Sequence, residues 1–184
     1  DPALGFEFEQ RIAQVLRESG WYDSVTTYRI TTAGLGGPTP LQWRSVDGIR
    51  RIGRELKADA VIVGTATYYF EDIYMETPSC SGCNRPDAQP IWSVAQRTNV
   101  IVRFSASMID VATGREIHAA HSEGEDVNYL FYHVSWSQRE APPVSLIPQT
   151  NRQQVPPTRD TAINRAVHHF TRDLLPTYEW RSVE

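Results

Sequence analysis

Lysine is almost absent from this chain. Lys57 is the only one in 184 residues, and Arg50-Arg51 is the only adjacent pair of basic side chains. With a formal net charge of −4 and no block of Lys and Arg, little counterion release is on offer to drive phosphate binding, which argues against a nucleic-acid partner. Long apolar runs are missing too. None approaches the roughly 18–20 residues that a membrane-spanning helix needs. Cysteine is confined to Cys80 and Cys83, so no second CxxC completes a four-thiolate zinc site, and no HxxxH spacing is present. The chain opens at Asp1 without a charged n-region, an apolar h-region or a lipobox cysteine. The expectation is that any export signal has been removed.

What remains is the composition of one ordinary globular domain, 40% hydrophobic and 22% charged, spanning 1–184. Phe8, Ile12, Val15 and Leu16 recur at helical spacing and predict an amphipathic helix from Ala3 to Glu18. Val25 to Thr32 reads as a strand, and Ala33 to Pro40 as a surface loop. Ser45 caps a second helix whose apolar stripe is Ile49, Ile52 and Leu56. Ala60 to Tyr69 begins as a continuous apolar run, which suits a central strand buried on both faces. Asn99 to Asp110 alternates, so one of its faces is wetter. Asp110 to Gly114 is a tight turn, and Arg115 to Glu123 returns as the antiparallel partner. Thr158 caps the last helix, with Ile163, Ala166, Val167, Phe170 and Leu174 as its core stripe and Pro176 as its stop. The order implies an α+β two-layer sandwich, helices mainly on one face of a mixed or antiparallel sheet. Two segments, Glu71–Arg97 and Glu125–Pro157, read as long loop insertions outside the core.

Candidate chemistry is sparse. Cys80-Ser81-Gly82-Cys83 has three readings. A redox site needs a helix following the motif, and a zinc site needs two more ligands. A structural disulfide in an exported loop needs neither, and is preferred. His118 and His121 fall on opposite faces of a strand, and His168 and His169 about 100° apart on a helix, so neither pair chelates. Gly34, Gly36 and Gly37 lack the GK[ST] of a phosphate loop. No GxSxG is present. Glu55 and Asp59 bracket a helix end, as a solvated charged rim does. No catalytic residue, metal or cofactor is expected. Tyr68, Tyr69, Phe70 and Tyr74, with Tyr129, Phe131 and Trp136, either cover the core edge or form a protein-binding patch, because such side chains are enriched where partners dock.

Two core segments carry a resemblance. Ile52 to Gly64 follows the pattern IGxxLxADxVIxG, and Val102 to Ile117 follows VxxxxxMIDVATGxxI. The pairing resembles the CsgG and TolB N-terminal-like family of envelope domains, which includes the curli secretion subunit and lipoprotein activators of peptidoglycan synthases. The resemblance runs from about Phe6 to Pro176. It implies a non-enzymatic accessory or assembly protein that binds other envelope proteins, with homo-oligomers as a further expectation. It also implies a place in the periplasm of a Gram-negative bacterium, tethered to the outer membrane through an N-terminal lipid anchor not contained in this chain. The chain starts at or just before the family's first helix. The family's opening strand is therefore expected to be either missing or supplied by Asp1 to Phe6 in some other way. No residue here inherits the pore-lining role of the loop after it. Its membrane hairpins fall where Glu71–Arg97 and Glu125–Pro157 lie, but Glu71-Asp72, Glu76 and Gln138-Arg139-Glu140 interrupt an uncharged outward face. A secretion-channel subunit is therefore the alternative, and a metal or redox protein at Cys80 and Cys83 a second one.

Overall fold

A computed structural model describes residues 2–27 and 45–175. Among the described residues, three helices and a four-stranded antiparallel sheet form an α+β sandwich. Helix α1 is Pro2–Glu18 and α2 is Val46–Glu55; the strands are β1 Ala60–Met75, β2 Ser79–Ser81, β3 Ile91–Asp110 and β4 Glu116–Val134. Helix α3, Val155–Thr171, follows. Strand β3 pairs with β1, β2 and β4. β2 is antiparallel to it, with Ser79 opposite Ser93 and Ser81 opposite Ile91.

The chain divides into two compact units, each assembled from segments distant in sequence: 1–68, 103–123 and 164–184 in the first, 69–102 and 124–163 in the second. In the first unit Phe104 of β3 is the hub. Its ring meets Phe8 of α1 at 4.4 Å and Phe170 of α3 at 5.4 Å. Leu4, Ile12 and Leu16 complete the buried stripe of α1, while Val167 and Ala166 do so for α3. Arg11 donates to Asn164 Oδ1 at 2.5 Å, joining the two helices at their polar edge.

Helix α2 begins as its cap predicts, since Ser45 Oγ accepts from the Gly48 N–H at 3.1 Å. Its apolar stripe is shorter than expected. Ile49 is buried, but Leu56 is 40% exposed and lies beyond the helix as its C-cap. Gly53 is the residue that sets the helix against the sheet: a methyl group there would overlap the side chain of Val111 and press on Val61. Arg50 fastens the same corner, donating to the carbonyls of Val111 at 3.1 Å and Ala112 at 2.6 Å.

The β3–β4 turn forms where expected. Asp110 Oδ1 accepts from the Thr113 N–H at 2.6 Å and from its hydroxyl at 2.5 Å, and Gly114 takes φ 74°. Those bonds to the Thr113 hydroxyl and amide hold the Asp110 carboxyl below its ordinary value.

Several expectations are corrected. Ala60–Tyr69 is not a central strand buried on both faces. Residues of β1 are at most half-buried, because it has only β3 beside it among the described residues. The insertions are not loops throughout. β1 continues to Met75, β3 already starts at Ile91, and β4 runs on to Val134. Nor do they lie outside a core, since Trp92, Val94 and Val134 are buried with Met75, Cys80, Cys83, Tyr132, Trp136 and Ile147 around them. Finally, Thr158 is inside α3 and not its cap. Its hydroxyl bonds back to the Gln154 carbonyl at 3.1 Å, and the helix starts earlier because Pro156 and Pro157 are tolerated in a first turn that needs no N–H. Leu174 follows α3 in a short 3₁₀ turn. Val25 to Thr27 carry no strand. The rest of that expected strand, the loop Ala33–Pro40 with its glycines, and Pro176 lie outside the described residues.

Two predictions follow from the first unit. Gly53→Ala is expected to cost about 1–3 kcal/mol through overpacking, read as a lower denaturant midpoint. A carboxyl held low in the folded state contributes stability above its unfolded value, and that contribution is lost as pH falls through the folded value. Asp110→Ala should therefore lower the urea midpoint at pH 7, and the gap to the parent should narrow on acidification to about pH 3.

Candidate interaction face

Strand geometry sorts the aromatic candidates before any chemistry is considered, because successive side chains point to opposite faces. Tyr68, Phe70 and Tyr74 share one side of β1 and are 42%, 38% and 37% exposed. Tyr69 points the other way. It is half-buried, donates to Glu71 Oε2 at 2.6 Å and lies under the Arg159 guanidinium at 5.7 Å. On β4, Tyr129 and Phe131 project together, 43% and 71% exposed, their rings nearly parallel with centroids 6.4 Å apart. Trp136 is half-buried against the second core and donates its indole N–H to the Glu140 carbonyl at 2.9 Å.

In the second unit the structure gathers Tyr74 and Tyr129, with Phe131 beside Tyr129, around a residue that sequence reasoning missed. Arg97 of β3 donates to the Tyr74 hydroxyl at 3.0 Å, and its guanidinium carbon lies 6.0 Å from the Tyr74 ring and 5.9 Å from that of Tyr129. The hydrogen bond to Tyr74 and the two phenols raise its already high pKa, so it is a permanent cation. The missed signal was the alternation Arg97, Asn99, Ile101, Arg103, which marks the outer face of a strand. In the first unit Arg103 has an equivalent seat, 5.0 Å from the Tyr68 ring, but there Glu123 forms an ion pair with it.

The disulfide loop is built differently. Cys80 and Cys83 are bonded to each other, and the turn they close offers its carbonyls to Arg139. Its guanidinium donates to Cys83 at 2.6 Å, Pro86 at 3.0 Å, Ala88 at 3.1 Å and, more distantly, Gly82 at 3.5 Å. Trp92 donates its indole N–H to the Gln138 carbonyl at 2.9 Å. Further along, the buried Gln96 amide pairs with the backbone of Asn151, donating to its carbonyl at 3.0 Å and accepting from its N–H. Residues 138–151 are thus tied down by bonds from the side chains of Trp92, Gln96 and Arg139 to backbone groups.

Other chemistry is limited. An open concavity of about 460 Å³ in the first unit is lined by Ile49 and small residues including Gly64, Thr65, Ser105 and Ala120. At its edge Ser105 Oγ lies 2.6 Å from His121 Nδ1. Among the described residues no carboxylate bonds to His121, so the third member of a nucleophilic triad is not assembled. Among the described residues no group of three His, Cys, Asp or Glu side chains is placed to hold a metal ion. His118 packs against Phe170 at 5.4 Å, and His169 donates to the Glu123 carbonyl at 2.9 Å. No helix among the described residues is long and apolar enough to cross a membrane.

A scan of the sequence against protein-family models gives no match, and a search of curated proteins gives none either.

The loop clamp is directly testable. Arg139→Ala, or reduction of the disulfide, should red-shift tryptophan emission and speed limited proteolysis between residues 135 and 150. Unchanged cleavage in the variant would show that Arg139 does not hold the segment.

Proposed function

We propose that this chain is a non-enzymatic accessory protein of the Gram-negative envelope, anchored by lipid at the periplasmic face of the outer membrane, which docks other envelope proteins. The observation that carries this reading is the aromatic face of the second unit, where Phe70, Tyr74, Tyr129 and Phe131 stand exposed on sheet strands. Rigid, amphipathic rings contribute large contact area at low entropic cost, which is why they concentrate at interfaces. Sheet strands hold them in fixed register, as a docking surface requires. The Cys80–Cys83 disulfide supports an exported location, since such bonds persist in oxidising compartments. The resemblance of Ile52–Gly64 and Val102–Ile117 to envelope assembly domains points the same way.

Site-specific photocrosslinking tests it. A photoreactive phenylalanine at position 131 in the exported full chain should give discrete adducts with envelope proteins, and Phe131→Ala should weaken association by roughly tenfold or more if the ring is an anchor. The same probe at Val144, 83% exposed and outside the aromatic face, should give none. Adducts at Val144 but not at position 131 would move the docking surface elsewhere.

A further inference from the structure

The two strand-mounted arginines of β3 make an informative comparison. Each lies over a tyrosine of β1, Arg103 over Tyr68 and Arg97 over Tyr74. Arg103 is neutralised by Glu123 of β4. At the corresponding place beside Arg97, β4 presents Tyr129 instead. Glu76, the residue after β1, acts on Arg97 through its charge at a distance, without forming an ion pair with it. One N–H of its guanidinium is taken by Tyr74, and its Nε is buried without an acceptor. The guanidinium lies over both phenol rings, and its bond to the Tyr74 hydroxyl fixes the orientation of the planar fork. That is the geometry which recognises a carboxylate by paired N–H donors rather than as a point charge.

Next to this cation lies the Tyr129 ring, and beside that ring Phe131, the most exposed aromatic of the face. Asp72, two residues before Tyr74 on the same side of β1, is exposed and has no ion pair among the described residues. It repels a second acid. The occupant that satisfies all three features is a single carboxylate flanked by apolar side chains. We propose that Arg97, Tyr74, Tyr129 and Phe131 receive an extended peptide segment of a partner protein, a Glu or Asp carboxylate on the guanidinium and neighbouring aromatic side chains against Tyr129 and Phe131. This rests on the protein-docking reading above and names the chemistry of its partner. The overall charge of −4 makes the attraction local.

The test uses the full chain and a dye-labelled pentapeptide, acetyl-Ala-Phe-Glu-Phe-Ala-amide, read by fluorescence anisotropy beside versions with Gln or Lys at the centre. The Glu peptide should bind saturably, roughly tenfold or more tighter than the Gln peptide, with the Lys peptide weaker still. Its affinity should fall between about 50 and 500 mM salt as the charge is screened. Arg97→Gln should abolish the difference between Glu and Gln peptides. Arg97→Lys, which keeps charge without the fork, should retain part of it. Arg103→Gln should leave it unchanged, because that guanidinium is already occupied by Glu123. Near-ultraviolet circular dichroism of each variant separates loss of the contact from loss of the fold.

Equal binding of Glu and Gln peptides, or no saturable binding up to millimolar peptide, overturns the proposal. If binding is indifferent to charge yet lost in Phe131→Ala, the face docks protein without an acidic preference: this inference fails and the docking reading stands. If the protein alone sediments as a dimer that Arg97→Gln dissociates, the occupant is a second copy and the acidic-partner assignment is wrong.

Discussion

Everything in this fold hangs on the two-residue period of one strand. From Trp92 to Ala106, every even-numbered residue of β3 is buried without exception, through Val94, Gln96, Thr98, Val100, Val102 and Phe104. At 20 residues β3 is several times longer than an ordinary strand, and it supplies the central ladder to which the other three strands attach. A one-residue slip would turn this whole row outward and Arg97 and Arg103 inward. The buried row excludes that slip, and so fixes which side chains of β1 and β4 can meet the arginines. The aromatic face is in this sense a consequence of the core.

Helices α1, α2 and the body of α3 were legible because their apolar residues recur at the helical period, and the start of α2 because Ser45 caps it. The Asp110–Gly114 turn was legible for a similar local reason. The extent of β3 was not, because Gln96 and Thr98 occupy buried positions where an apolar residue is expected, and the alternation looked broken there. Gln96 is tolerated at 1% exposure because its amide meets the Asn151 backbone. That partner is 55 residues away and invisible to any local pattern. The position of β1 at the edge was hidden for a different reason. A run such as Ala60–Val63 looks the same whether one or both of its sides are covered, and only the pairing decides.

The candidate face divides along the same line. Its aromatics could be named from composition and strand propensity, but not sorted, since Tyr69 and Tyr74 differ only by parity within β1. Trp136 turned out to serve the loop clamp. Arg97 and Arg139 were unreadable because the meaning of an arginine lies in what surrounds it: two phenol rings in one case, a set of carbonyls in the other. No spacing rule connects position 139 to the turn at 82–88.

The Gln96–Asn151 contact has one more consequence, for the ageing of the protein. The side-chain amide acts as a substitute peptide group, presenting one donor and one acceptor to a strand-like backbone. Hydrolysis of that amide to a carboxylate would leave the acceptor and convert the donor into a second, charged acceptor facing the Asn151 carbonyl. Replacement of the amide nitrogen by oxygen would thus turn a matched pair into a repulsive one in a part-buried site. Damage at this glutamine would be felt first in residues 138–151, whose hold on the sheet depends on it.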